Sequence, residues 1–247
     1  MNTIPESSFF KNRHAGDLPT PAGVRAINIA SGHPRASYFN RPPPVRIPSL
    51  GLLVKYGADV FIYMSLVEGE TLQERWGDMD ESERRGVCAE LRSMVKAWRA
   101  LQQDSEQPYI GSVGEQPLND IFLACHPELT GPFQGDNAAQ EFQDACGIDI
   151  ANGTAIVFTH DDLVAPNIIL SPGPKPRVKA VIDWAQAGWY PAYWEFCKAR
   201  RVRLDPECFS DVMQHEWQQK YLPMMIDPVD DASYYHPWLY FVLSKGI

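Results

Sequence analysis

Three short apolar runs, separated by a polar loop and a turn, occupy residues 156–184 of this 247-residue chain. Runs of this length and composition predict β-strands, and the polar residues between them predict where each strand ends. The loop after the first run carries Asp162 and Asn167, and the third run ends at Asp183. A hairpin formed by these strands would gather the three side chains at one of its ends. No other pattern in the sequence constrains the fold as strongly.

The three gathered side chains share one chemistry, since all of them present oxygen donors. Hard divalent cations such as Mg²⁺ prefer carboxylate and amide oxygens to sulfur. Enzymes that transfer phosphoryl groups use such oxygens to hold a Mg²⁺-nucleotide beside an acceptor hydroxyl. The pattern therefore indicates phosphoryl-transfer chemistry.

The spacing His-x-Asp-x-x-x-x-Asn at 160–167 resembles the catalytic loop of protein-kinase-like enzymes. Asp183-Trp184, followed by Gly-Trp-Tyr-Pro at 188–191, resembles the aminoglycoside phosphotransferase and choline kinase-like branch. This resemblance implies an α+β, protein-kinase-like two-lobe fold. It also implies a β-rich N-lobe over 20–67 and a mainly helical C-lobe over 68–247 that contains a catalytic hairpin at 156–184.

The same resemblance implies a role for each site residue and two cofactors, ATP and Mg²⁺. Asp162 would be the catalytic aspartate that orients the acceptor hydroxyl and accepts its proton. Asn167 and Asp183 would hold Mg²⁺, with Asp183 bridging the metal to the nucleotide phosphates. Lys55 would reach the α- and β-phosphates. Backbone groups near Met64 and Leu66 would bind adenine.

Two further residues of the loop have supporting roles. We expect His160 to hold the loop by hydrogen bonds and not to act on the substrate. Asp161 stands at a position that is often glycine in this family. Aspartate tolerates the left-handed backbone region better than most residues do, so Asp161 is a modest departure from the family pattern.

The predicted N-lobe departs from the family pattern. Family members carry a helix and a further strand between the phosphate-binding lysine and the hinge, and that helix provides a glutamate that pairs with the lysine. Here five residues separate Lys55 from Phe61, none of them a glutamate. The phosphate loop is also poor in glycine, with one at 47–51. We therefore predict a truncated N-lobe that lacks this helix, and weak or absent activity.

Two explanations of the truncation stay open at this point. The chain is either a defective or mis-spliced version of an ordinary enzyme, or a pseudokinase that serves as a binding module. A metal-dependent hydrolase is a third alternative, with His160 and the nearby carboxylates at a divalent site. That site would need further histidines, and the other five are scattered along the sequence.

Charge and composition limit the classes of molecule that the chain is expected to bind and the compartment in which it is expected to lie. A net charge of −9 argues against a general binder of nucleic acid or of anionic membranes. No apolar stretch approaches the roughly 18 residues that span a bilayer. The five cysteines form no Cys-x-x-Cys pair, which favours reduced thiols in the cytoplasm. The resemblance implies a small-molecule hydroxyl acceptor. Its identity and the oligomeric state stay open.

The remaining elements follow from local patterns. Residues 1–48 are rich in proline and glycine and predict mostly irregular structure, with a flexible N-terminus at 1–19. Apolar runs predict strands, and apolar residues at helical spacing predict helices. The predicted strands are 51–56 and 60–67, and the predicted helices are 80–103, 138–146, 192–202 and 206–221.

Overall fold

The computed structural model of the protein describes residue 9 and residues 13–38, 42–150 and 153–246. The chain divides into two compact units, Met1–Glu68 and Gly69–Ile247, here called the N-terminal and C-terminal units. Residues 1–8 and 10–12 of the predicted flexible N-terminus lie outside the described part.

Among its described residues, the N-terminal unit has one α-helix, α1 (Pro21–Ala30), and a three-stranded antiparallel sheet in the order β1-β2-β3. The strands are β1 (Val45–Ile47), β2 (Leu52–Tyr56) and β3 (Phe61–Ser65). Helix α1 starts where the Thr20 hydroxyl accepts the Gly23 amide at 3.1 Å, with proline at the first helical position. Val24 of α1 packs with buried residues of β1 and β2 in one apolar core.

Strands β2 and β3 form a direct hairpin, in which Lys55 lies opposite Ile62. The turn between them is closed by a hydrogen bond from the Gly57 amide to the Val60 carbonyl at 2.9 Å. This turn has no room for a helix and a return strand, which confirms the predicted truncation. The helix of this unit, α1, lies before the strands in the chain.

The C-terminal unit is a mixture of helices and two small antiparallel sheets, which confirms the predicted α+β class. One sheet has the order β6-β5-β10-β7 and the other β4-β8-β9. The helices are α2 (Leu72–Arg75), α3 (Glu81–Arg99), α4 (Ala138–Cys146), α5 (Trp194–Arg201), α6 (Asp211–Glu216), α7 (Leu222–Met225) and α8 (His236–Ser244). The strands are β4 (Glu70–Thr71), β5 (Tyr109–Ser112), β6 (Phe133–Gln134), β7 (Ile156–Thr159), β8 (Ile168–Leu170), β9 (Val178–Val181) and β10 (Gly188–Pro191).

The long helix α3 begins with the capping box that the sequence predicts. The Asp80 carboxylate accepts the Glu83 amide at 2.8 Å, and the Glu83 carboxylate accepts the Asp80 amide at 3.1 Å. Its apolar face, with Val87, Leu91 and Val95, is buried in the largest core cluster. The helix ends four residues before its predicted end.

The predicted hairpin at 156–184 is divided between two sheets. Strand β7 pairs with β10, with Phe158 opposite Trp189, whereas β8 pairs with β9. The polar loop redirects the chain through the left-handed Asp161 and a 3₁₀ turn at Ala165–Asn167, so β7 and β8 belong to different sheets. The segment Gly188–Pro191, which carries part of the family resemblance, is strand β10.

The helix predicted at 206–221 starts later and is irregular. Helix α6 begins after Ser210, whose hydroxyl accepts the Met213 amide at 3.3 Å. A π-helical segment at Trp217–Tyr221 follows and leads into α7. All five cysteines are free, and Cys88, Cys146 and Cys197 are buried. Among the described residues, no helix is both long and apolar enough to cross a membrane.

Candidate active site

The loop between β7 and β8 is closed by the side chain of Asn167. Its Nδ2 donates to the backbone carbonyl of Asp162 and to Asp162 Oδ2, each at 2.9 Å. The backbone amide of Asn167 donates to the backbone carbonyl of Val164 at 2.9 Å. Because these bonds use the nitrogen end of the carboxamide, Asn167 Oδ1 is the atom that it can offer to a cation.

The residue before Asp183 is bonded to both ends of this loop. The backbone amide of Ile182 donates to the backbone carbonyl of Asn167 at 2.8 Å. The backbone carbonyl of Ile182 lies 3.0 Å from His160 Nε2. Asp183 itself is exposed and adopts the left-handed conformation, with φ 68° and ψ 54°. The structure therefore brings Asp162, Asn167 and Asp183 to one loop cluster of the C-terminal unit.

His160 is buried, and its tautomer follows from its two partners. The Asp162 amide donates to Nδ1 at 3.1 Å, so the ring proton is on Nε2, which donates to the Ile182 carbonyl. Burial lowers the pKa of His160, and the carboxylates of Asp162 and Asp183 offset this only in part. Because Nδ1 accepts a hydrogen bond, the ring is neutral, and both of its nitrogens hold the loop by hydrogen bonds, as the supporting role of His160 requires.

Asp161 has φ 63°, which is in the left-handed backbone region that aspartate tolerates. Its side chain is buried, and Oδ2 accepts a hydrogen bond from Lys198 Nζ at 2.8 Å. Lys198 also lies 2.8 Å from Asp120 Oδ1, and Asp120 Oδ2 accepts from the Trp194 indole at 2.8 Å. We call Asp120, Asp161 and Lys198 the buried ion cluster.

The electrostatics of the buried ion cluster follow from one ammonium between two carboxylates. Burial lowers the pKa of Lys198, but the charges of Asp161 and Asp120 outweigh it and hold that pKa above its ordinary value. Burial and the charge of Asp120 raise the pKa of Asp161 well above its ordinary value, although Lys198 opposes them. The one sequence signal for this cluster is a lysine in a helix that also carries Trp194, Phe196 and Cys197, since such apolar neighbours are usually buried.

The remaining predicted residues belong to the N-terminal unit. Lys55 and Met64 share one face of its sheet, because Lys55 lies opposite Ile62 and Met64 opposite Leu53. The Leu66 amide donates to Gly51 O at 2.8 Å, so its hydrogen is engaged within the unit. A backbone contact from Leu66 to a ligand would therefore use its carbonyl.

The donor set suits Mg²⁺ better than a metal held by the protein alone. Among the described residues, no three His, Cys, Asp or Glu side chains lie close enough together to form a metal site. Mg²⁺ in nucleotide sites needs only one or two protein carboxylates, because waters and phosphates complete its shell. Asp183 and the Asn167 oxygen fit that role. The hydrolase alternative, which needs several converging histidines, gains no support from the described residues.

A family model described as the phosphotransferase enzyme family matches residues 11–223. Among solved structures, aminoglycoside phosphotransferase APH(3'')-Id from Streptomyces rimosus ATCC10970 is 20% identical, with a TM-score of 0.40, covering 90% of this chain and 78% of that one. The apo form of a thermostable mutant of aminoglycoside phosphotransferase APH(4)-Ia is 15% identical, with a TM-score of 0.40, covering 90% of this chain and 72% of that one. No curated protein matches the chain. The family match includes the whole loop cluster with Asp162, Asn167 and Asp183.

Proposed function

The chain belongs to the phosphotransferase enzyme family, and from this premise we propose that it transfers the γ-phosphoryl group of ATP to a small-molecule hydroxyl. Membership confirms the family resemblance and the protein-kinase-like α+β fold class. Two hydrogen bonds carry the proposal. Asn167 Nδ2 donates to Asp162 Oδ2, and the backbone amide of Ile182 donates to the backbone carbonyl of Asn167. Asp162, Asn167 and Asp183 therefore belong to one loop cluster.

In the proposed reaction, Asp162 is the catalytic base. Asp162 Oδ2 accepts from Asn167, which leaves Oδ1 to orient the acceptor hydroxyl and take its proton. The acceptor oxygen then bonds to the γ-phosphorus as the bond to the ADP oxygen breaks. Bound Mg²⁺ would supply charge neutralisation at the phosphates, held by Asp183 and Asn167 Oδ1.

For the N-terminal unit, we propose that Lys55 contacts the phosphates and that backbone groups near Met64 and Leu66 contact adenine. Positioning and electrostatics supply nearly all catalysis in this reaction. The tight turn between β2 and β3 removes the helix that would orient Lys55, so we expect weak activity. The same turn favours the second candidate function, a pseudokinase that retains the fold as a binding module.

The proposed compartment is the cytoplasm, and the proposed acceptor is a small polyhydroxylated or cationic molecule. The five free cysteines support a reducing compartment. The net charge of −9 supports an acceptor that is not a nucleic acid.

The test is thermal unfolding of the full chain with and without millimolar Mg²⁺-ATP. A ligand at 100 times its dissociation constant stabilises the folded state by about 2.7 kcal/mol. For a chain of this length, that corresponds to a rise in Tm of several degrees. We expect the rise in the wild type and in Asp149→Ala, which removes an exposed carboxylate elsewhere in the C-terminal unit, and its loss in Asp183→Ala.

Transfer activity then separates the two candidate functions. ATP turnover with a panel of small hydroxyl compounds would establish an enzyme. A Tm rise without any turnover would identify a nucleotide-binding pseudokinase. A folded wild type with no Tm rise would overturn the proposal that this chain binds Mg²⁺-ATP.

A further inference from the structure

Lys198 has a complete set of buried partners from three separate segments. Its ammonium lies 2.8 Å from Asp161 Oδ2, 2.8 Å from Asp120 Oδ1 and 2.9 Å from Gln186 Oε1. Lysine carries three N–H donors, and three acceptors meet them. Because every donor is used and the side chain is 4% exposed, the ammonium fixes the mutual positions of its partners.

Two of these partners flank the candidate catalytic residues. Asp161 directly precedes Asp162. Gln186 lies in the 3₁₀ turn Trp184–Gln186, which directly follows Asp183. A single ammonium thus connects the segment that carries the proposed base with the segment that carries the proposed metal ligand.

The third partner, Asp120, belongs to a segment that holds the same turn independently. Asn119 Nδ2 donates to the Ala185 carbonyl at 2.8 Å, and the Ile121 amide donates to Gln186 Oε1 at 2.8 Å. Residues 119–121 therefore bind both Lys198 and the turn after Asp183. The turn is therefore held at two adjacent residues, Ala185 and Gln186, by a segment that Lys198 also binds.

The backbone of Asp161 is fixed from the same helix as Lys198. Glu195 of α5 accepts the Asp161 amide on Oε1 at 3.1 Å. Asp161 is in the left-handed region, which costs energy for a residue with a side chain and persists only where surrounding contacts determine it. Helix α5 thus holds Asp161 by its main chain through Glu195 and by its side chain through Lys198.

We propose that Lys198 is a positioning residue that sets the placement of Asp162 relative to Asp183, through Asp161 on one side and Gln186 on the other. The inference rests on the proposed function. A purely stabilising role explains the arrangement poorly, since buried ion pairs contribute little net stability against apolar replacements. Placing two carboxylates on one buried ammonium increases that desolvation cost. Fixing the register of two segments is the better account.

Gln186→Ala tests the proposal without leaving a buried charge unpaired. It removes the acceptor in the turn that Lys198 and the Ile121 amide share, and it keeps both ion pairs of Lys198. Gln214→Ala is the matched control. Gln214 also receives a hydrogen bond on its side-chain oxygen, from the Leu204 amide at 2.9 Å, and it donates to Val202 O, away from the loop cluster.

Amide hydrogen exchange of the full chain without nucleotide is the first readout. We expect Gln186→Ala to accelerate exchange in peptides covering 158–167 and 182–188 by roughly tenfold, in keeping with the loss of a charge-assisted hydrogen bond. Exchange in α4 should stay unchanged, and Gln214→Ala should leave both loop peptides at wild-type rates. Acceleration confined to 182–188, with 158–167 protected as before, would overturn the coupling.

The Mg²⁺ concentration that gives half of the ATP-induced Tm rise is the second readout. This Mg²⁺ concentration should increase roughly tenfold in Gln186→Ala and stay constant in Gln214→Ala. If Lys198 and Gln186 were merely structural, Gln186→Ala would lower Tm and leave this Mg²⁺ concentration unchanged. Lys198→Met should loosen both peptides further. If that variant does not fold, Gln186→Ala still decides. A wild type without a Tm rise would contradict the proposed function alone, because the exchange experiment requires no nucleotide.

Discussion

His160 Nε2 donates a hydrogen bond to the backbone carbonyl of Ile182 at 3.0 Å, across 22 residues of sequence. The Ile182 amide is bonded to the Asn167 carbonyl at 2.8 Å. Both polar backbone groups of the residue before Asp183 are therefore tied to the loop that carries Asp162. The position of Asp183 depends on this backbone link as well as on the turn that follows it.

The link predicts a pH-dependent contribution of His160 to stability. Burial lowers the pKa of His160, so below its unfolded value of about 6.5 the unfolded state binds the proton more readily. The contribution is fully present above pH 6.5 and is lost as pH falls toward the folded-state pKa. Between pH 6.5 and 5, we expect wild type to lose up to about 2 kcal/mol more unfolding free energy than His160→Ala.

Urea unfolding at pH 7, 6 and 5 measures this difference. At pH 7, His160→Ala should cost about 1–3 kcal/mol, because it leaves the Ile182 carbonyl and the Asp162 amide without their partner. His215→Ala, which removes an exposed imidazole, should follow the wild-type pH dependence. Parallel pH profiles for wild type and His160→Ala would show that the buried imidazole titrates normally.

The proposed base predicts a separation of binding from transfer. Asp162→Asn keeps an oxygen that can accept from Asn167 but cannot take the acceptor proton at neutral pH. We expect the rate of phosphoryl transfer to fall by about 10²–10⁴-fold, while the Tm rise with Mg²⁺-ATP stays within a degree of wild type. ATP turnover and thermal unfolding on one preparation measure both, with Asp149→Asn as control. Unchanged turnover would remove Asp162 from the chemistry.

Local signals in the sequence were sufficient for several elements. Helix α4 has its predicted bounds, and the capping box at Asp80 starts α3 as expected, because both depend on residues within one or two turns. The candidate residues Asp162, Asn167 and Asp183 came from motif spacing along a short segment.

What the sequence did not predict depends on contacts between distant segments. Strand β7 pairs with β10, which lies about thirty residues further on, because the loop between β7 and β8 turns the chain out of one sheet. Lys198 lies 37 residues from Asp161, and no spacing along the chain links the two residues. A buried charge is recognised only when its partners are known.

The buried tryptophans of the C-terminal unit allow a matched comparison of polar satisfaction. Trp76, Trp194 and Trp238 are each 0% exposed. The Trp194 indole donates to Asp120 Oδ2 at 2.8 Å. Within the described part of the chain, the indole nitrogens of Trp76 and Trp238 have no hydrogen-bond partner. Replacing each tryptophan by phenylalanine removes a similar volume. Only the replacement of Trp194 also removes an indole N–H that has a hydrogen-bond acceptor.

We expect Trp194→Phe to be the most destabilising of the three substitutions. All three create a cavity where the larger ring was packed, and that cost is shared. Trp194→Phe also leaves a buried carboxylate oxygen of Asp120 without its donor, which adds about 1–3 kcal/mol. Trp238→Phe is the closest control, because its ring packs against that of Trp194 with centroids 5.9 Å apart in the same core. Urea unfolding followed by far-UV circular dichroism measures the differences. Equal losses in the three variants would mean that the Trp194–Asp120 hydrogen bond contributes nothing to stability.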